Sequence, residues 1–230
     1  MFIGHFAVAM AAKRAAPHTS LGLLFGAAQL ADLLWPPLLL AGVERASVRP
    51  GDTAFTPLAF EHYPWSHSLL MLTVWGALLG GVYAWRRGDR RAALVLAALV
   101  ASHWLLDWVT HRPDMPLVPG AGPKLGLGLW NNVAATLAVE GVLFAVCVWV
   151  YSQATVPRDR AGRWGWIALV AFLALLQAAN VVSPPPPNMT AVAVGGLLLW
   201  LPVLWGAWID RHRSSASAAA AINAPGSSAR

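Results

Sequence analysis

The chain reads as an all-α polytopic membrane protein: a helix bundle of about six transmembrane helices preceded by a short N-terminal half-helix. Three observations carry this. Hydrophobic residues make up 57% of the 230 positions and charged residues only 11%, against about 25% charged in ordinary soluble domains. Mostly apolar runs of about eighteen or more residues recur, the length that crosses a bilayer core. The basic residues gather between those runs, as topology signals do, and not on a face that would suit nucleic acid.

The elements follow in order. Residues 2–12 are apolar and carry His5, but are too short to span and read as a half-inserted or interfacial helix. Residues 20–43 are long enough, with Ser20 as N-cap. Asp32 lies near the middle, on the same face as Gln29, and Pro36-Pro37 one turn later is expected to kink or interrupt the helix. A polar loop over 44–61 leads through His62 to His67 and a span over 69–85. A basic loop, 86–91, precedes the span 92–111, which Pro113 ends. After a Pro/Gly-rich connection over 112–128 come spans at 129–154, 164–182 and 189–209. They are separated by Arg158, Arg160 and Arg163 and then by four consecutive prolines. Residues 1–213 form one membrane domain, and the Ala/Ser-rich tail 214–230 is expected to be disordered.

Alternation of the spans sorts the basic residues. Twelve of the 16 Lys and Arg fall on one side, which the positive-inside rule makes the cytoplasm, and only Arg45, Arg49, Arg112 and Lys124 on the other. The C-terminus is then cytoplasmic. Several tryptophans, among them Trp35, Trp85, Trp130, Trp149 and Trp164, fall near span ends, as an aromatic belt would. The single cysteine, Cys147, lies in an apolar run and excludes a disulfide framework or a thiolate metal site.

Ionisable residues inside the spans are the functional signal, because burying them in a membrane is costly. His103, Asp107 and His111 recur every four residues and stack along one helical face, drifting about 40° per step. The topology places His111 at the outer aqueous surface, with Asp107 and His103 about 6 and 12 Å deeper. His62 lies at the same surface, His67 a turn below it, and His5, Asp32 and Glu140 near mid-membrane. Imidazole and carboxylate groups at compatible depth suit a divalent metal, zinc by donor type. Glu140, with Asn132 and Thr136 on its face, reads as a support or interhelical clamp.

The elements Gly4-His5, Asp32, His62-x4-His67-Ser68-Leu69 and Ser102-His103-x3-Asp107 resemble the YdjM-like, LexA-binding inner-membrane family of membrane-bound metal-dependent hydrolases. The likeness covers roughly the first half of the chain. It implies a bacterial cytoplasmic (inner) membrane location and metal ligands at His5, Asp32, His62 or His67, His103 and Asp107. The chain departs from the family pattern in having one Asp where the family often has two, Tyr63 in place of an Arg, and Pro64 in place of a Gly.

Three functions are compatible with these residues. The first is a metal-dependent hydrolase acting on a lipid-linked or anionic small substrate. In it Asp107 or Asp32 is the general base, and Arg112 and Lys124 meet an anionic head group. The second is a small transporter that uses the His/Asp groups as a proton or ion relay. The third is a scaffold in which they are interhelical glue. The hydrolase accommodates the most residues. The metal's identity, the substrate and the oligomeric state are not encoded in any motif.

Overall fold

The computed structural model describes residues 1–216. In chain order it contains α1 (Ile3–Ala12), α2 (Leu21–Ala28), α3 (Leu30–Leu40), β1 (Arg45–Val48), β2 (Leu58–His62), α4 (Pro64–His67), α5 (Leu69–Arg87) and α6 (Arg90–Thr110). There follow β3 (Met115–Pro116), β4 (Lys124–Leu125), a 3-10 turn (Leu129–Asn131), α7 (Val133–Ala154), β5 (Thr155–Pro157), α8 (Arg160–Val182), α9 (Met189–Leu197), α10 (Trp200–Arg211) and β6 (Arg213–Ser215). Among the described residues, five stretches are long and apolar enough to cross a membrane, the last formed by α9 and α10 together. A sixth arises if the bent pair α2–α3 counts as one span. The expected helical bundle is thus found.

Two ends are distinguishable. At the basic end, Lys13 donates to the Thr19 carbonyl and Asp210, each at 2.7 Å, and β5 pairs with β6. Arg213 is buried there against the Tyr151 and Trp166 rings. At the opposite end lie the antiparallel pairs β1–β2 and β3–β4, in segments whose sequence reads as irregular loop. Ser214 and Ser215, which fall in the tail expected to be disordered, instead pair with Val156 and Thr155. The rest of that expectation, from 217 on, lies outside the described residues.

α1 is not interfacial. Ile3, Phe6, Ala7 and Met10 are all buried, and the helix packs against α7, α2 and α6. Ten residues give about 15 Å, half the bilayer core. Anchored at Lys13 on the basic end, α1 carries His5 to the middle of the bundle.

The α2–α3 break also differs from expectation. Pro36 and Pro37 lie inside a continuous α3, and the 57° bend falls at Gln29, whose backbone leaves helical geometry at φ −96°, ψ 8°. The turn there detaches the Ala28 carbonyl from the following helix and frees it for another donor. Ser20 is the expected N-cap, accepting from Leu23 N at 3.1 Å.

Small residues let the spans approach closely. A Cβ on Gly76 would lie 2.8 Å from the Ala97 carbonyl oxygen of α6, and one on Gly80 2.7 Å from that of Ala93. The next residue, Gly81, has open space where its Cβ would be. Gly80→Leu should therefore force α5 from α6 and destabilise the detergent-solubilised protein by about 1–3 kcal/mol. Gly81→Leu should leave stability nearly unchanged, and chemical unfolding of the two variants side by side checks the contrast.

Candidate metal centre

Four elements bring the ionisable groups together. α1 supplies His5, α3 supplies Asp32, α4 supplies His67, and α6 supplies His103 and Asp107, with His111 at its C-cap. His5 Nε2 lies 3.1 Å from Asp107 Oδ1, and His103 Nε2 lies 3.1 Å from Asp107 Oδ2. His67 Nε2 is 3.4 Å from Asp32 Oδ1 and 3.9 Å from Asp107 Oδ2. The His5 and His103 rings stack at 3.7 Å. Two groups of three have donor atoms within 4.8 Å of one another: His5, His103 and Asp107, and Asp32, His67 and His103. They share His103.

The outer nitrogens of three imidazoles are tied, which places a proton on each Nδ1. His103 Nδ1 is 2.7 Å from the Ala28 carbonyl freed by the α2–α3 break, so it carries the proton and donates. Its Nε2 is buried without a hydrogen-bond partner. His67 Nδ1 is 2.6 Å from Ser66 Oγ, whose single proton goes to Glu44 Oε2, also at 2.6 Å. The same carboxylate accepts the Trp65 and Ser66 amides, each at 2.8 Å. Ser66 Oγ can then only accept from His67. His111 Nδ1 donates to Asp114 Oδ1 at 2.9 Å, with Nε2 3.9 Å from Asp107 Oδ2. Each of these rings thus aims Nε2 at Asp107, and those of His67 and His103 also face Asp32. Such an arrangement needs a cation or extra protons to be stable.

His111 is a correction to the sequence reading. It is buried, 3% exposed, because the Trp130 and Phe60 rings pack on it at 4.2 and 4.9 Å and the chain after Pro113 turns back to bring Asp114 against its Nδ1. Asp114 accepts from His111, from Tyr63 at 3.0 Å and from Arg112 at 3.1 Å. Burial raises the Asp114 carboxyl, and these hydrogen bonds outweigh it and hold the group below its ordinary value.

His62 sits on β2 opposite Arg45 and joins neither group. Arg112 is engaged by Asp52 at 2.9 Å and by Asp114, and Lys124 reaches the Glu61 carbonyl at 3.3 Å, so both have protein partners. Asn132 caps α7 through Ala135 N at 2.9 Å. Glu140 is the expected clamp: fully buried, it accepts the Phe2 and Gly4 amides at 3.0 and 3.4 Å and holds the start of α1. The Met1 amino group contacts Asp107 and Thr110. Glu44, Ser66, Tyr63 and Asp114 were missed as site residues. Tyr63 and Ser66 carried a hint, lying between His62 and His67; Glu44 lies 23 residues upstream of His67 and reads as loop.

Above the cluster lies a cavity of about 480 Å³. Asp32, His67, Asp107 and His111 form its floor, and Trp35, Phe60 and Trp130 stand in its wall. Trp35 and Trp130, each 8% exposed, are therefore cavity residues and not belt residues, whereas Trp85, at 80%, is exposed.

A multi-span helical bundle enclosing such a cluster is an integral membrane protein with an ionisable centre between its helices. The chain belongs to the YdjM inner membrane protein family, whose profile matches residues 1–183. It is accordingly a multi-pass inner membrane protein, and the matched region holds every residue of the centre. No curated protein and no solved structure matches the chain.

Glu140→Ala should leave two amides of the first helical turn without their acceptor, at a cost of about 1–3 kcal/mol. Amide hydrogen exchange in α1 should accelerate while that in α5 stays as in the parent protein.

Proposed function

We propose that this protein is a metal-dependent hydrolase of the inner membrane, with His67, His103 and Asp107 holding a divalent ion, Asp32 facing it as general base, and His5 and His111 completing the polar shell. The observation that carries the reading is the tautomer pattern: three imidazoles with Nδ1–H tied to Ala28, Ser66 and Asp114, and Nε2 turned toward Asp107. Protein metal sites use this arrangement, since an outer hydrogen bond fixes the ring and raises its basicity. Imidazole with carboxylate favours zinc among common ions. A bound ion supplies Lewis acidity and makes water nucleophilic near neutral pH. Asp32, whose side chain is 26% exposed toward the cavity against 3% for Asp107, is the carboxylate placed to take the proton of the attacking water. The charge distribution puts the basic end and the C-terminus in the cytoplasm, with the centre nearer the outer surface.

Elemental analysis of the purified protein should find stoichiometric metal that is lost in His103→Ala. A metal-free parent protein, or equal content in the variant, would overturn the reading. A pH-driven flux in proteoliposomes that survives chelation would instead favour an ion relay. Ser66→Ala removes the acceptor of His67 Nδ1–H and should weaken metal affinity by about 10–100-fold without abolishing folding. Competition with a zinc-binding dye checks this, and Glu44→Gln should shift affinity in the same direction.

A further inference from the structure

The cavity has two unlike boundaries. Its floor is buried and ionisable, with Asp107 and His67 only 2% and 3% exposed. Its far side is formed by the end of α8 and by α9, through Asn180, Ser183, Pro184, Val192 and Gly195. Of these, Asn180, Ser183, Pro184 and Gly195 are exposed. α9 packs principally on α3, and α8 on α10, so the cavity opens beside α9 toward the outside of the bundle.

That outside is lipid. Gly195 lies six residues into the span that begins at Met189, about 9 Å along the helix and so within a hydrocarbon core about 30 Å thick. Its neighbours Val194 and Leu198 are exposed by 53% and 60%, as lipid-facing side chains are. A Cβ on Gly195 would meet nothing within 4 Å, whereas one on Gly196 would press on Pro36 at 2.7 Å. The absent side chain at 195 keeps the mouth open at membrane depth, while Gly196 serves the α3–α9 contact. The volume is in the range of small-molecule sites, about 300–1,000 Å³. The aromatic wall of Trp35, Phe60 and Trp130 suits an apolar body, and the floor suits a polar head.

We infer that the cavity binds an amphiphile from the bilayer, its anionic head at the His/Asp floor and its long hydrocarbon chain leaving beside Gly195 between α8 and α9. The placement of the head rests on the metal reading; the route of the chain does not.

The test uses the full-length protein in nanodiscs containing phosphatidic acid with a photoreactive diazirine near the end of one acyl chain. Labelling should concentrate on peptides containing Trp35 and residues 180–199. Gly195→Trp should lose that labelling and Gly195→Leu should reduce it. Gly81→Trp, at an open lipid-facing position on α5, should keep the parent pattern. Labelling spread evenly over α5 and α7, or unchanged in a folded Gly195→Trp, would overturn the inference. Metal content measured on the same samples separates the two readings. Its absence removes the proposed chemistry and leaves the labelling result standing, and the reverse holds if metal is present and the labelling is diffuse.

Discussion

Asp107 is a carboxylate inside a membrane-crossing helix, 2% exposed, and much of the bundle's middle is organised around that fact. A charge there needs partners. Those within reach come from several segments: the Met1 amino group and His5 from the start of the chain, His67 from the short helix before α5, and His103 and His111 from one turn earlier and one turn later in the chain at α6. Each partner then has to be held. α1 is held by Glu140 at one end and by the Lys13–Asp210 pair at the other. His67 is held by Ser66 and Glu44, and His103 by a carbonyl that a continuous helix would have kept for itself.

The break at Gln29 is therefore a structural requirement and not a defect. One bend re-aims α3 so that Asp32 meets His67, and it releases the Ala28 carbonyl that orients His103. The same economy appears at the C-terminus of α6. Pro113 stops the helix, and the reversal brings Asp114 back to fix His111 over the cavity. Irregular backbone at membrane depth is tolerated where it is buried in protein or lines a cavity, and Gln29 meets that condition.

The spans were legible because bilayer thickness imposes a length and a composition that any helix crossing it must meet. The centre was legible in part for a related reason. Histidine and aspartate inside apolar runs are costly enough that their presence signals use, and His5, Asp32, His67, His103 and Asp107 do converge. Depth along a span could be read from residue counts, but burial at its end could not. His111 reads as an aqueous-surface residue although the Phe60 and Trp130 rings cover it, and His62, one surface residue among several, stays on a strand away from the cluster. Trp35 and Trp130 carried the pattern of interface anchors and are cavity walls.

By itself the sequence determined the class of protein, the spans, the charge asymmetry between the two faces and most of the ionisable residues that meet. Each of these follows from local composition set against a uniform solvent, the bilayer. Only the tertiary structure decided where the second segment bends, which ring nitrogen of each histidine is free, that Glu44 and Asp114 orient ring partners, and that the cavity opens beside Gly195. These depend on atoms distant in sequence meeting at hydrogen-bonding distance. Spacing along one helix carries no information about what another helix, a freed carbonyl or a returning loop will place opposite it.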